Sequence, residues 1–144
     1  LIALPDVNVL VALAWPNHVH HDAAWAWFDA DRDAGWATCL LTEAGFVRVS
    51  CNRAAVRHTV TALDAIGVLE GLTRLGSHRL WPLDRSIGAL PESVSARLQG
   101  YRQVTDAVLL AAAIQRGGQL TTFDGGLKAL VPAGHQSSLR VLPV

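Results

Sequence analysis

Short apolar runs alternate with longer amphipathic segments from one end of the chain to the other, and acids stand where the pattern changes. That alternation is the strongest constraint on the fold. Residues 1–7 read as a buried strand and 9–15 as a short helix stopped by Pro16. Residues 18–34 form a second, amphipathic helix with Val19, Ala23, Ala24, Trp27 and Phe28 near helical spacing. Gly35 breaks it, 36–40 reads as a strand, and Thr42 with Glu43 opens a helical run through Phe46, Val47 and Val49. Residues 59–75 form a long helix with Val60, Leu63, Ile66, Leu69 and Leu72 on its apolar face and Gly76 as its C-cap. A short strand over 80–83 precedes a looser stretch over 84–100, with a brief helical pattern at 92–98. The pattern then gives a helix over 105–116, a strand over 119–123, a short helix over 125–131 and an edge strand over 139–142.

Strands separated by helices predict a mostly parallel, twisted sheet covered on both faces, because each return in the same direction needs a crossover. The expected class is therefore α/β, in one domain over residues 1–144, a length that suits a single core. In such sheets ligands bind beyond the carboxyl ends of the strands. Asp6 and Asp124 each follow a predicted strand, and Glu43 and Asp106 each fall near the start of a predicted helix, so all four acids are expected on one rim.

Composition narrows the function further. Twelve basic and twelve acidic residues cancel, so no global positive field grips nucleic acid and any such contact must be local. The charged fraction of 17% lies below the roughly 25% of ordinary soluble domains, which predicts apolar surface covered by a partner or a second copy. Cys39 and Cys51 lack CxxC spacing and disulfide-scaffold density, and read as buried or inert thiols of a reducing cytoplasm. No apolar run approaches the roughly 20 residues of a membrane span, and no basic segment leads into one, so the expectation is a soluble, unexported, cytoplasmic protein.

Carboxylates gathered on one rim repel each other unless a cation lies between them. Hard ions such as Mg²⁺ or Mn²⁺ take oxygen ligands, and such a site suits phosphodiester cleavage by a metal-activated water. Asp6, Glu43, Asp106 and Asp124 are accordingly the candidate catalytic and metal-binding residues. Thr105 is placed to cap the helix that begins at Asp106, and Asn8 and Thr122 are candidates to orient the acids by hydrogen bonding. Taken singly, each acid could instead be a helix cap or a first-turn charge; only their joint placement favours metal. His18, His20, His21 and Asp22 could bind zinc, but without Cys partners or regular spacing they read as a polar helix start. Trp15, Trp25, Trp27, Trp36 and Trp81 could stack on bases, although core or interface packing fits their apolar neighbours better. Arg53, Arg57, Arg85 and Arg102 could line a phosphate path or be solvated surface. A phospho-aspartate phosphatase would need an acid where Asn8 stands, and a phosphorylation receiver would need a lysine after a late strand, which Lys128 does not supply.

The motifs Leu4-Pro5-Asp6-Val7-Asn8, Leu41-Thr42-Glu43, Val104-Thr105-Asp106-Ala107 and Leu120-Thr121-Thr122-Phe123-Asp124 together resemble the PIN-domain superfamily, and within it the VapC toxins. The resemblance spans essentially the whole chain. It implies a PIN-like three-layer α/β/α sandwich and an endoribonuclease dependent on Mg²⁺ or Mn²⁺, with the four acids as its ligands. It also implies structured RNA such as tRNA or rRNA as substrate, arrest of translation, a homodimer, and silencing by a cognate VapB antitoxin. Gly125 stands where some relatives carry a further polar or acidic residue. A PIN-shaped binding module without activity is the alternative, which the intact set of acids argues against.

Overall fold

Leu4 and Leu120, both completely buried, lie side by side on adjacent parallel strands at the centre of the sheet. The computed structural model describes residues 1–144 and forms five strands: β1 (Ala3–Pro5), β2 (Trp36–Thr38), β3 (His78–Leu80), β4 (Gln119–Thr122) and β5 (Leu139–Val141). All pairings are parallel, in the order β3-β2-β1-β4-β5. The chain thus moves outward from β1 to β3, then crosses to the opposite side of β1 to add β4 and β5. That reversal opens a crevice at the carboxyl ends of β1 and β4, the place where α/β sheets bind ligands.

Helices α1 (Val7–Ala14), α2 (His21–Asp31), α3 (Leu40–Ser50), α4 (Arg53–Val56) and α5 (Ala62–Thr73) precede β3, and α6 (Glu92–Ser95) and α7 (Val104–Gln115) lie between β3 and β4. On one sheet face Ala3 and Trp36 pack with α1, α2, α3 and α5 around Phe28 and Phe46. On the other face Leu4, Ala37 and Leu120 pack against Leu109, Leu110 and Ala113 of α7 and against Leu127 and Leu130. Strand side chains alternate between faces, so these two sets follow directly from residue parity. Each fully buried leucine contributes roughly 1.5–3 kcal/mol relative to exposure. The buried Trp36 and half-buried Trp25 indoles donate to the Leu75 and Leu13 carbonyls, so these aromatics serve packing.

Several boundaries differ from expectation for local reasons. The strand expected over 1–7 stops at Pro5, because Asp6 turns the chain and accepts the Val7 N–H at 2.7 Å. The helix over 18–34 begins at His21, and a tight turn over Arg32–Ala34 leads to Gly35, whose φ of 117° only glycine adopts readily. The third strand is His78–Leu80 rather than 80–83: the Trp81 N–H makes the last ladder bond, to Thr38, and Pro82 has no N–H to extend it. Helix α3 begins at Leu40, its first turn closed by the Thr42 hydroxyl on the Cys39 backbone. Residues Gly125–Leu130 form a 3₁₀ helix. Leu63 and Ile66, placed on the apolar face of this helix, are 80% and 43% exposed on α5. Cys39 is buried, but Cys51 is exposed. No helix is long and apolar enough to cross a membrane.

Candidate metal-binding active site

Asp6 is the N-cap of α1 and is only 8% exposed. One carboxylate oxygen accepts the Val7 N–H, and the other accepts the Thr122 hydroxyl at 3.1 Å. Thr122, fully buried at the end of β4, is a hub: its oxygen also accepts from the Asp124 N–H at 3.1 Å and from the Asn8 side-chain amide at 3.3 Å. Since the hydroxyl has one proton, those two donors commit it to Asp6. Asn8 further accepts the Phe123 N–H at 3.5 Å, a long bond that ties α1 to the turn after β4. Asp124 caps the following 3₁₀ segment by accepting the Gly126 N–H at 2.8 Å.

Asp106 approaches from α7, on the same side of the sheet as Asp6 and Thr122. Burial raises its pKa from 3.8 to about 6, with the charges of Asp6 and Asp124 adding to the effect. Asp6 is also raised: burial outweighs the stabilising bonds from Val7 and Thr122, and the Asp124 charge adds to the rise. Asp6, Asp106 and Asp124 line one cleft of about 340 Å³, together with Asn8 and His18.

Three of the four expected acids are therefore brought together, and Glu43 is not. Its carboxylate accepts the Thr38 hydroxyl at 2.8 Å and faces His78, beside the second strand rather than in the cleft. It lines a separate hollow between α3 and α5. The reason lies in strand parity: Thr38 points to the α3 face, whereas Asp6 and Thr122 point to the α7 face. Nor do any three Asp, Glu, His or Cys side chains converge to the spacing of a ready-made ion cage. The backbone N–H groups of Val7 and Gly126 engage one oxygen of Asp6 and one of Asp124, respectively. Thr105 is not a cap: α7 starts at Val104 after Gln103, no side chain caps it, and Thr105 is exposed in its first turn.

The donor set still suits a hard dication. All three acids offer oxygen, and no cationic side chain pairs with Asp106. A cation would offset the burial and the neighbouring charges that raise Asp6 and Asp106.

His18 is the residue whose position the sequence reading missed. It lines the acidic cleft, its Nδ1 accepts the His20 N–H at 3.0 Å, and burial ahead of the His20 and His21 charges lowers its pKa. His20 in turn packs on Phe123, with ring centroids 4.9 Å apart. The histidine cluster was visible in the sequence; nothing there linked it to the turn after β4.

The strand order, with acids at the ends of β1 and β4 and a third on α7, defines a known class. The PIN domain model matches residues 3–131, and the chain belongs to the PIN-domain family. Among its relatives, the ribonuclease VapC39 of Mycobacterium tuberculosis is 44% identical over 134 residues, covering 93% of this chain and 96% of that protein. Ribonuclease VapC38 of the same organism is 45% identical over 143 residues, covering 99% of each. Among solved structures, the chain resembles VapBC2 of Rickettsia felis bound to a promoter DNA fragment, with a TM-score of 0.67, 14% identity and coverage of 99% and 100%. It also resembles M. tuberculosis VapC20, a toxin that cleaves the sarcin-ricin loop, with a TM-score of 0.63, 16% identity and coverage of 98% and 99%. At those identities the two structures speak to the fold.

Proposed function

We propose that this chain is the ribonuclease toxin of a VapBC-type toxin-antitoxin pair, cleaving structured RNA with a divalent cation. The observation that carries the reading is the cleft shared by Asp6, Asp106 and Asp124, in which burial, with the neighbouring carboxylate charges adding to it, raises two of the three acids. Its relatives bear the name ribonuclease along nearly their full length, which supports the same activity here.

Asp6, Asp106 and Asp124 would hold Mg²⁺ or Mn²⁺. Such an ion, when bound, supplies Lewis-acid charge and lowers the pKa of a water for attack on the phosphodiester. The chain's own residues supply position. Val7 and Thr122 fix the two Asp6 oxygens, Gly126 fixes one Asp124 oxygen, and Thr122 couples both acids through a single hydroxyl. Asp106 takes up a proton near pH 6 when no cation compensates it. Glu43 belongs to the expected ligand set, and joining the other three requires release of its bond to Thr38. Asn8 braces the arrangement through Thr122 and the Phe123 backbone.

Exposed Leu40, Leu63 and Ile66 on α3 and α5 support a homodimer or an antitoxin contact on that face, since contiguous apolar surface marks interaction sites. Localisation in the cytoplasm and arrest of translation follow from the same reading. The deciding experiment is cleavage of total cellular RNA by purified protein. EDTA should stop it and Mg²⁺ or Mn²⁺ restore it, and sequencing of the new ends identifies the RNA. Chelator-resistant cleavage by a contaminant-free preparation removes the metal mechanism.

A further inference from the structure

A second groove, of about 390 Å³, adjoins the acidic cleft and shares Val11, His18 and Ala55 with it. Its remaining walls include Trp15, Asn17 and Arg57, and no carboxylate lines it. The two hollows therefore meet at His18, one lined by acids and the other by none.

Three features of the second groove are unusual. Arg57 is the only non-glycine residue with positive φ, at 66°, just past α4, where glycine is the unstrained choice. Its guanidinium is exposed and has no acidic partner, so its charge is free. His18 has its Nδ1 occupied as an acceptor of the His20 N–H, so the neutral ring carries its proton on Nε2 as a donor. Trp15 is held in place by its indole bond to Ser50 at 2.9 Å and by stacking on Phe46. A free guanidinium, a ring donor and an aromatic wall are the chemistry that binds a single nucleic-acid strand: phosphate to arginine, base to aromatic face. The volume lies within the range that accepts a ligand the size of one nucleotide.

We propose that this groove is the subsite for the RNA nucleotide flanking the scissile phosphate, with Arg57 on a backbone phosphate and His18 and Trp15 against the neighbouring nucleotide. The assignment rests on the ribonuclease reading above and adds to it a direction for the strand: away from Asp124, over His18, towards Arg57. It gives a chain of zero net charge a local phosphate contact next to a site that would otherwise repel RNA.

The test measures binding apart from cleavage. The full chain carrying Asp106→Asn is titrated, in Mg²⁺, with a fluorescent RNA hairpin of randomised loop sequence, over a series of salt concentrations. Adding Arg57→Gln should weaken binding about tenfold and reduce the slope of log K against log salt by about 0.7, the signature of one lost phosphate contact on a single strand. Arg57→Lys should recover most of both. Asn17→Asp, at an exposed position of the same groove, should also weaken binding several-fold. In the cleaving enzyme, Arg57→Gln should raise KM with kcat unchanged. Parent-like affinity and slope in both Arg57→Gln and Asn17→Asp overturn the proposal, as does a loss confined to capture of an antitoxin peptide. If the unsubstituted enzyme cleaves RNA while both variants behave like it, only the groove assignment falls. If it neither binds nor cleaves RNA, the ribonuclease reading falls with it.

Discussion

Replacing Asp106 by asparagine should stabilise the metal-free protein at neutral pH. Burial and the charges of Asp6 and Asp124 raise the Asp106 pKa from 3.8 to about 6. Its ionised form is therefore worse accommodated in the folded chain than in the unfolded one. Well below pH 3.8 the residue is protonated in both states and costs nothing. As pH rises from there to about 6 the unfolded chain ionises first, and the folded state loses stability progressively; above that the penalty is constant. A shift of about two units corresponds to roughly 3 kcal/mol at most. Asp106 is only half buried, so solvent screening brings the expected penalty to about 1.5 kcal/mol. For a chain of this length that is a Tm difference of about 5 °C. Thermal unfolding followed by circular dichroism in EDTA should give Asp106→Asn a Tm close to the parent's at pH 3.8, and about 5 °C above it at pH 7.5. Saturating Mg²⁺ should then raise the parent's Tm and move the variant's far less, because the ligand that gained stability lost its charge. A gap of equal size at both pH values, or a variant less stable at neutral pH, refutes the reasoning.

Asp6→Asn and Asp106→Asn should each abolish RNA cleavage while native circular dichroism is retained; wild-type-like cleavage by either purified variant contradicts the mechanism. Glu43→Gln should reduce cleavage yet keep most of the Mg²⁺-dependent rise in Tm, because Glu43 stands outside the cleft; complete loss of that rise would place it among the primary ligands. Thr122→Val removes the hydroxyl that serves Asp6, Asp124 and Asn8, and should cost about 1–3 kcal/mol in urea unfolding and about 10–100-fold in metal affinity by calorimetry. Gly45→Ala would set a Cβ 2.6 Å from a methyl of Val7, next to Asp6, and should destabilise the fold by about 1–3 kcal/mol; unchanged unfolding would mean that α3 shifts freely.

The order of elements was legible because parallel α/β units write themselves as alternating periods, and the carboxyl-end rule then placed Asp6 and Asp124 at the crevice. Asp106 was legible for the same reason, lying on the one helix of the opposite layer that passes over both. Glu43 was harder, since its direction depends on which face Thr38 presents at the end of β2, and one residue of register reverses that. Thr105 failed as a cap because α7 starts at Val104, two residues before Asp106, directly out of the 3₁₀ turn Tyr101–Gln103, which leaves no extended residue to act as one. Leu63 and Ile66 fit the period of a buried stripe, but helical spacing states which residues share a face and not what that face meets. The approach of His18 to the acids is a contact between distant turns, and nothing local encodes it.

Because β4 docks beside β1, Asp6 and Thr122, 116 residues apart in the chain, must meet before any cleft exists. A chain still emerging during synthesis can already pack α1, α2, α3 and α5 against the first strands, yet it lacks Asp106, Thr122 and Asp124. The cleft is therefore the last part of the core to be completed, and any chemistry it carries waits on the arrival of β4 beside β1.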